Sequence, residues 1–296
     1  MSDFGAAPRM DWSLQGQPYD AASLRWGLPL PPHLYGDFVH EANLPDFEAS
    51  LDRLVLQEGG SIDRSWAKYY AQRTGVYLHA RLFNLGGERE LHATELKRVA
   101  DCVSEISPRG LVLSVGFSGH EGYALQNPLP VPRTKDSIEL IADRVKRIRK
   151  ILGCDVSLVN VSSMFKYSLE HYSEIEFWQQ LLEKTGCQMI LDIPALFVSL
   201  YHSGLEFEAE VKKLPLERVA GVRVGALALS THGVVDAECG HLSITHWGLL
   251  EDVLHALPPE AKCTVFLKWF EPLVPLDVLI SEVQSGQSAL IRLSEV

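Results

Sequence analysis

SLVNVSS, residues 157–163, is apolar around a single amide, Asn160. With the two residues before it the run is DVSLVNV, 155–161, in which Val156, Leu158, Val159 and Val161 leave little room for a solvated face. A strand wetted on one side alternates apolar and polar residues. A nearly continuous apolar strand is covered on both faces, as in a parallel sheet flanked by helices. Burying a lone Asn in such a strand is unfavourable unless its amide is hydrogen-bonded. Asn160 is therefore a residue with a task.

Runs of the same kind recur outward from this one, at RWGLPL (25–30), RLVLQ (53–57), VYLHARLF (76–83), GLVLSVGFS (110–118), QMILDIP (188–194), VAGVRVGAL (219–227) and CTVFLKW (263–269). Helical patterns lie near 34–42, 65–74, 94–106, 137–152, 174–185, 205–214, 246–257 and 276–284. Trp66, Trp178 and Trp247 fall within them as packing residues. Eight strand–helix repeats predict an α/β chain, a (β/α)₈ TIM barrel. An open doubly wound sheet would often carry a Gly-rich phosphate loop after its first strand. GLPLPP (27–32) is not one, and Leu85-Gly86-Gly87 follows the third strand. Residues 1–20 are polar and without period, a loose segment ahead of a single barrel domain over 21–296. Two long loops, 119–136 and 228–245, follow strands and so belong to the C-terminal rim, where barrels of this type build their sites.

The chain has 296 residues, 46% of them hydrophobic and 22% charged, with a net charge of −11. That balance argues against nucleic acid or an anionic membrane as partner, since both select basic surfaces. The basic run Arg144 to Lys150 belongs to the solvated face of a helix whose apolar face is Val145, Ile148, Ile151 and Leu152. Five cysteines (102, 154, 187, 239 and 263) form no CxxC, and no signal-peptide or membrane-spanning pattern is visible. These features predict reduced thiols in a cytoplasm. Cys239 lies in a loop with Gly and His and is given no role.

Ligand-type side chains gather at or just after the strand ends: His79, His120, Asn160, Asp192, and Asp236 with Glu238. Singly, each has an ordinary structural explanation; Asp192, for example, would cap the segment that follows it. Together they would converge on one rim, and imidazole with carboxylate is a donor set for a transition metal. GFSGH (116–120) is not a nucleophile elbow, because Gly follows Ser118 directly and His120 holds the place of the second Gly. His232, His241 and His246 share a rim region with Glu238 without tight ligand spacing.

In their order, LHARLFNLGGERELHATELKRV (78–99), NPLPVPRTKDSIELIADRVKRIRKILG (127–153), SLVNVSS, SEIEFWQQLLEKTGCQMILDIPALFVS (173–199) and LPLERVAGVRVGAL (214–227) resemble the multinuclear non-haem iron-dependent oxidases typified by the methanobactin-biosynthesis oxidase. The resemblance implies a xylose-isomerase-like barrel with two or three irons in its mouth. It also implies Cys residues of ribosomally made precursor peptides as substrate, O₂ as oxidant, and a separate partner protein that binds the leader. Carried over residue by residue, the family's strand-three His is His79. Its Ser-acid-His is Ser118-Gly119-His120, without the acid, and its Leu-Glu-Asn is Leu158-Val159-Asn160, without the Glu. Its Asp-x-Asn-Asn is Asp192-Ile193-Pro194-Ala195, without either Asn, and its His-x-Ala-Gly-His is Arg223-Val224-Gly225-Ala226-Leu227, without either His. Asp236-Ala237-Glu238-Cys239 keeps the Asp of Asp-Thr-His-Gly and puts Glu for His, and the strand-eight Glu falls on Leu267.

Val159 offers no lone pair, Arg223 repels cations, and Leu267 would make the eighth strand's tip apolar. The expectation is a retained barrel whose multi-iron site is dismantled: a peptide- or partner-binding pseudoenzyme of such a pathway, holding one iron or none. The alternative is an active oxidase or oxygenase with a single metal on His79, His120, Asp192, Asp236 and Glu238, and with Asn160 orienting substrate. Isomerase- or endonuclease-like chemistry would follow from fold kinship alone, which does not carry function.

Overall fold

The structure is a computed structural model describing residues 25–293 except 41–42, 52–59, 82, 88–90, 92, 121–122, 260 and 271–272. Eight strands close into a parallel barrel: β1 (Arg25–Pro29), β2 (Asp46–Ser50), β3 (Val76–Ala80), β4 (Gly110–Ser114), β7 (Val156–Val159), β8 (Gln188–Asp192), β9 (Val219–Val224) and β12 (Thr264–Leu267). β1 pairs with both β2 and β12, which completes the ring. This is the predicted TIM barrel.

Side chains alternate between two cores, as the pleat requires. Outward residues such as Leu78, Leu111, Leu158, Leu191, Val222 and Val265 meet the surrounding helices in the main core. Inward, Val112, Val159, Ile190 and Phe266 form a separate apolar plug in the barrel axis. Gly27 and Gly221 make room for it: a Cβ at Gly27 would lie 2.3 Å from the Phe266 ring, and one at Gly221 would lie 3.1 Å from Ile190. Below the plug, fully buried Asp46 is tied to Arg25 (3.1 Å), Thr264 (3.1 Å) and the N–H of Gly75 (3.1 Å).

Helix ends follow local chemistry. Thr134 caps the helix Lys135–Leu152, and Ser173 with Glu176 forms a capping box on Glu174–Thr185. Both helices stop at glycines in the left-handed region, Gly153 (φ 61°) and Gly186 (φ 64°).

Several details depart from the expected pattern. The second barrel strand is Asp46–Ser50, and the run 53–57 expected in its place lies outside the described residues. Where a helix was expected at 34–42, Pro32–Leu34 is a single 3₁₀ turn and 35–40 are turns, and 41–42 lie outside the described residues. The helix expected at 205–214 is the short Phe207–Val211. Another helix, Ile193–His202, starts directly at the end of β8. The two rim loops fold into antiparallel hairpins, β5 (Gly116–His120) with β6 (Tyr123–Pro130) and β10 (Leu227–Ser230) with β11 (Gly233–Asp236). All five cysteines are free thiols. Among the described residues no helix is long and apolar enough to cross a membrane.

Candidate functional site

Beyond the apolar plug, five barrel strands present their next inward side chain to the C-terminal rim. Val112 is followed by Ser114, Ile190 by Asp192, Gly221 by Arg223, Phe266 by Lys268 and Tyr77 by His79. All five rim residues are buried, and they floor a cleft of about 300 Å³.

The floor is an ion-pair network. Lys268 Nζ lies 3.0 Å from Asp192 Oδ2 and also holds Asp236, which enters from the end of β11. Arg223 pairs with Glu48 of β2 and sits 3.7 Å from Asp192. Burial alone would lower the Lys268 pKa, but Asp192 and Asp236 outweigh it and hold the ammonium charged. Burial pushes the Asp236 carboxyl up, against the pull of Lys268. His79 is held well below its ordinary 6.5 by burial first, then by Arg223, Arg81 and Lys268, so its ring is neutral. Its Nε2 is 3.0 Å from Ser114 Oγ, and its Nδ1 faces Glu48 at 3.6 Å.

Asn160 falls one residue past the inward Val159, so it turns toward the neighbouring strand. Its Nδ2 donates to the Asp192 carbonyl (2.8 Å), and its Oδ1 accepts from the Asp192 N–H (2.8 Å). The Asp192 side chain also caps the helix behind it, accepting from Ala195 N at 3.1 Å. One carboxylate thus ends a strand, starts a helix and anchors Lys268.

Around the floor stand two unlike walls. One is a clasp: Arg81 reaches Glu238 (2.9 Å) and Asn127 of β6, and Asn127 Nδ2 donates to Glu238 (3.3 Å). The Arg81 guanidinium lies 4.2 Å over the Phe270 ring, and Glu238 takes a left-handed backbone (φ 59°). The other wall is an apolar ledge, with Leu129, Met164 and Phe165 exposed by 39%, 51% and 47%. Tyr167, whose hydroxyl donates to the Pro130 carbonyl (2.9 Å), and Arg133, which binds Glu170 (2.8 Å), fix the segment carrying the ledge. Exposed apolar side chains grouped at a cleft mark a binding surface.

Of the five expected ligands, Asp192 and Asp236 meet, at Lys268. His79 lies nearby with Ser114 and Glu48, and Glu238 belongs to the clasp. His120 ends β5, and its side chain is outside the described ones. His241 pairs with Glu282, His246 caps its own helix through Ser243, and exposed His232 bonds through its backbone to Ser230. The eighth strand's tip is not apolar: Leu267 faces the helices, and Lys268, one residue on, enters the mouth. Glu48, Ser114 and Lys268 were absent from the sequence-based set. Each lies two positions along its strand from a residue pointing into the barrel, which is the signal that finds them.

A multi-iron cluster does not fit this arrangement. The carboxylates that would bind it are neutralised by an ammonium and a guanidinium. Among the described residues no three His, Cys, Asp or Glu side chains gather to hold an ion.

Comparison with known proteins matches residues 25–290 to the model of the RiPP precursor modification enzyme family MbnB/TglH/ChrH. A UPF0276 protein of Acaryochloris marina is 22% identical over 270 residues, covering 90% of this chain and 95% of that protein. One from Paraburkholderia phytofirmans is 26% identical over 222 residues, covering 72% and 70%. Among solved structures, endonuclease IV from Thermus thermophilus superposes with a TM-score of 0.60 at 16% identity, covering 90% of this chain and 99% of that one. A xylose isomerase domain protein from Planctomyces limnophilus gives 0.56 at 11%, covering 90% and 98%. At these identities the structural likeness shows the barrel alone. The family match spans nearly all of the described chain, and the protein belongs to the MbnB/TglH/ChrH family of RiPP precursor modification enzymes.

Proposed function

We infer that this chain binds a ribosomally made precursor peptide in its barrel mouth without multi-iron oxidase chemistry, a pseudoenzyme with respect to that oxidation, working beside a leader-binding partner protein. The observation that carries this reading is Lys268 bridging Asp192 and Asp236 while Arg223 bridges Glu48 and Asp192. Two positive side chains stand among the carboxylates that the family resemblance assigns to metal. A cation entering there meets like charge instead of free donors. The apolar ledge beside a polar floor suits an extended peptide, with backbone amides over the floor and an apolar side chain on the ledge.

The test is metal content. Protein expressed in iron-rich medium and passed through gel filtration is assayed for iron, manganese and zinc. The expected result is far less than one ion per chain; two or more irons per chain would overturn the reading. A second reading keeps one Fe, Mn or Zn on the expected ligand set. It is favoured by the neutral ring of His79, the form a ligand must take. It requires close to one ion per chain, lost when His79→Ala and Asp192→Ala are combined.

A further inference from the structure

Neighbouring strands bring three mouth residues together in an order that neither reading uses. β2 pairs with β3 and β3 with β4 in a register that sets His79 opposite Ser50 and Val112, and Glu48 and Ser114 reach its ring from the diagonal positions two residues off. Ser114 Oγ meets Nε2 of His79 at 3.0 Å, and Nδ1 of the same ring faces Glu48 Oε1 at 3.6 Å. Arg223 holds the same Glu48 oxygen, Oε1. Ser114 and His79 are buried side chains that line the cleft. A hydroxyl on Nε2 and a carboxylate across Nδ1 is how a serine nucleophile is activated. The carboxylate favours the tautomer protonated at Nδ1, and the free lone pair on Nε2 accepts the hydroxyl proton. The gap to Glu48 exceeds a formed hydrogen bond. In ligand-free sites such contacts are often long and tighten when substrate is bound.

The geometry assigns to Ser114, His79 and Glu48 the roles of nucleophile, base and orienting carboxylate in cleaving carboxylic esters with an apolar acyl group, with no metal required. Ser114 Oγ bonds to the acyl carbon as its proton passes to His79 Nε2. The ester C–O bond breaks, and the leaving alkoxide takes that proton. Water then gives a proton to His79 and its oxygen to the acyl carbon. The carboxylic acid leaves as Ser114 recovers its proton, so no oxidant or reductant is consumed. Leu129, Met164 and Phe165 offer the acyl chain an apolar wall. An ester leaving group departs more readily than an amine, which makes esters the class to test first.

Full-length protein is stripped with chelator, desalted and treated with a fluorophosphonate probe, and the modified residue is located by mass spectrometry. Hydrolysis of p-nitrophenyl butyrate is measured in parallel. The expected result is an adduct on Ser114 and turnover that falls on the order of 10²-fold or more in Ser114→Ala and His79→Gln. Glu48 acts through His79 as a positioning residue, so Glu48→Gln lowers kcat and leaves KM in place. Absence of a Ser114 adduct on the wild-type protein overturns the assignment, as does unchanged turnover in Ser114→Ala with a wild-type circular dichroism spectrum. Labelling the wild type needs no variant to fold. Metal content is read on unchelated protein, so the peptide-binding reading and this one fail by different measurements.

Discussion

Asn160 turns a donor and the acceptor of its amide on one neighbour, the backbone of Asp192. Asn160→Ala leaves a buried N–H and a buried carbonyl unpaired, and urea denaturation is expected to show a loss of about 1–3 kcal/mol. Asn160→Asp keeps the acceptor but loses the donor, so it should not recover that loss. Lys268 has the larger stake. Lys268→Met strands two buried carboxylates and is expected to cost about 3–5 kcal/mol at pH 7. The sign of its pH dependence follows from Asp236, whose folded pKa is already raised above 3.8 by burial and rises further without the ammonium. Stability tied to a raised carboxyl is present at low pH and lost as pH climbs through the folded value. The deficit of Lys268→Met against wild type should therefore shrink as the melt is repeated from pH 7 toward pH 4. The task of Asn160 was legible as a question, because an amide in an apolar strand asks for partners. The partners were not, since they are backbone atoms of a strand 32 residues away. Lys268 escaped notice because, inside the run CTVFLKW (263–269), the family resemblance put the strand-eight site on its neighbour Leu267.

The barrel strands owe their closure to matched volumes as much as to pairing. Phe266 fills the axis against two glycines, and Gly27→Ala would push a methyl into its ring. Thermal or urea unfolding should register about 1–3 kcal/mol of overpacking. At the helix ends, Ser173→Ala removes one half of a capping box and is expected to cost about 1 kcal/mol. The helices that Thr134 and Ser173 cap, Lys135–Leu152 and Glu174–Thr185, lie close to where the periodicity put them, at 137–152 and 174–185. Two elements were not readable, for opposite reasons. DFEAS, 46–50, carries its carboxylates inward, Asp46 to the barrel floor and Glu48 to Arg223, so it lacks the apolar run that marks its sisters. QMILDIPALFVSLYH, 188–202, is apolar nearly throughout, so periodicity does not show where β8 ends and the next helix begins.

Across the whole molecule, eight repeats of a covered strand and a helix made the barrel plain, while the content of its mouth depended on parity. A one-residue shift separates Leu267 in the outer core from Lys268 over the cleft, and Val159 in the plug from Asn160 against β8. Folding also buries a neutral imidazole, with a consequence for global stability. His79 titrates below its ordinary 6.5 when folded, so the unfolded chain takes up its proton first as pH drops. The stability it contributes is complete above pH 6.5 and is lost as pH falls below that value. Melting temperatures from pH 7.5 to pH 5.5 should decline more steeply for wild type than for His79→Gln. The clasp of Arg81, Asn127 and Glu238 has a different consequence, one of ionic strength. Its charged partners are a fifth to a third exposed, whereas those of the floor are almost wholly enclosed. Dissolved salt weakens the first kind of contact and barely reaches the second. Moderate salt should therefore loosen the entrance while the floor keeps its shape, and a peptide that must part the clasp would associate faster as sodium chloride is raised.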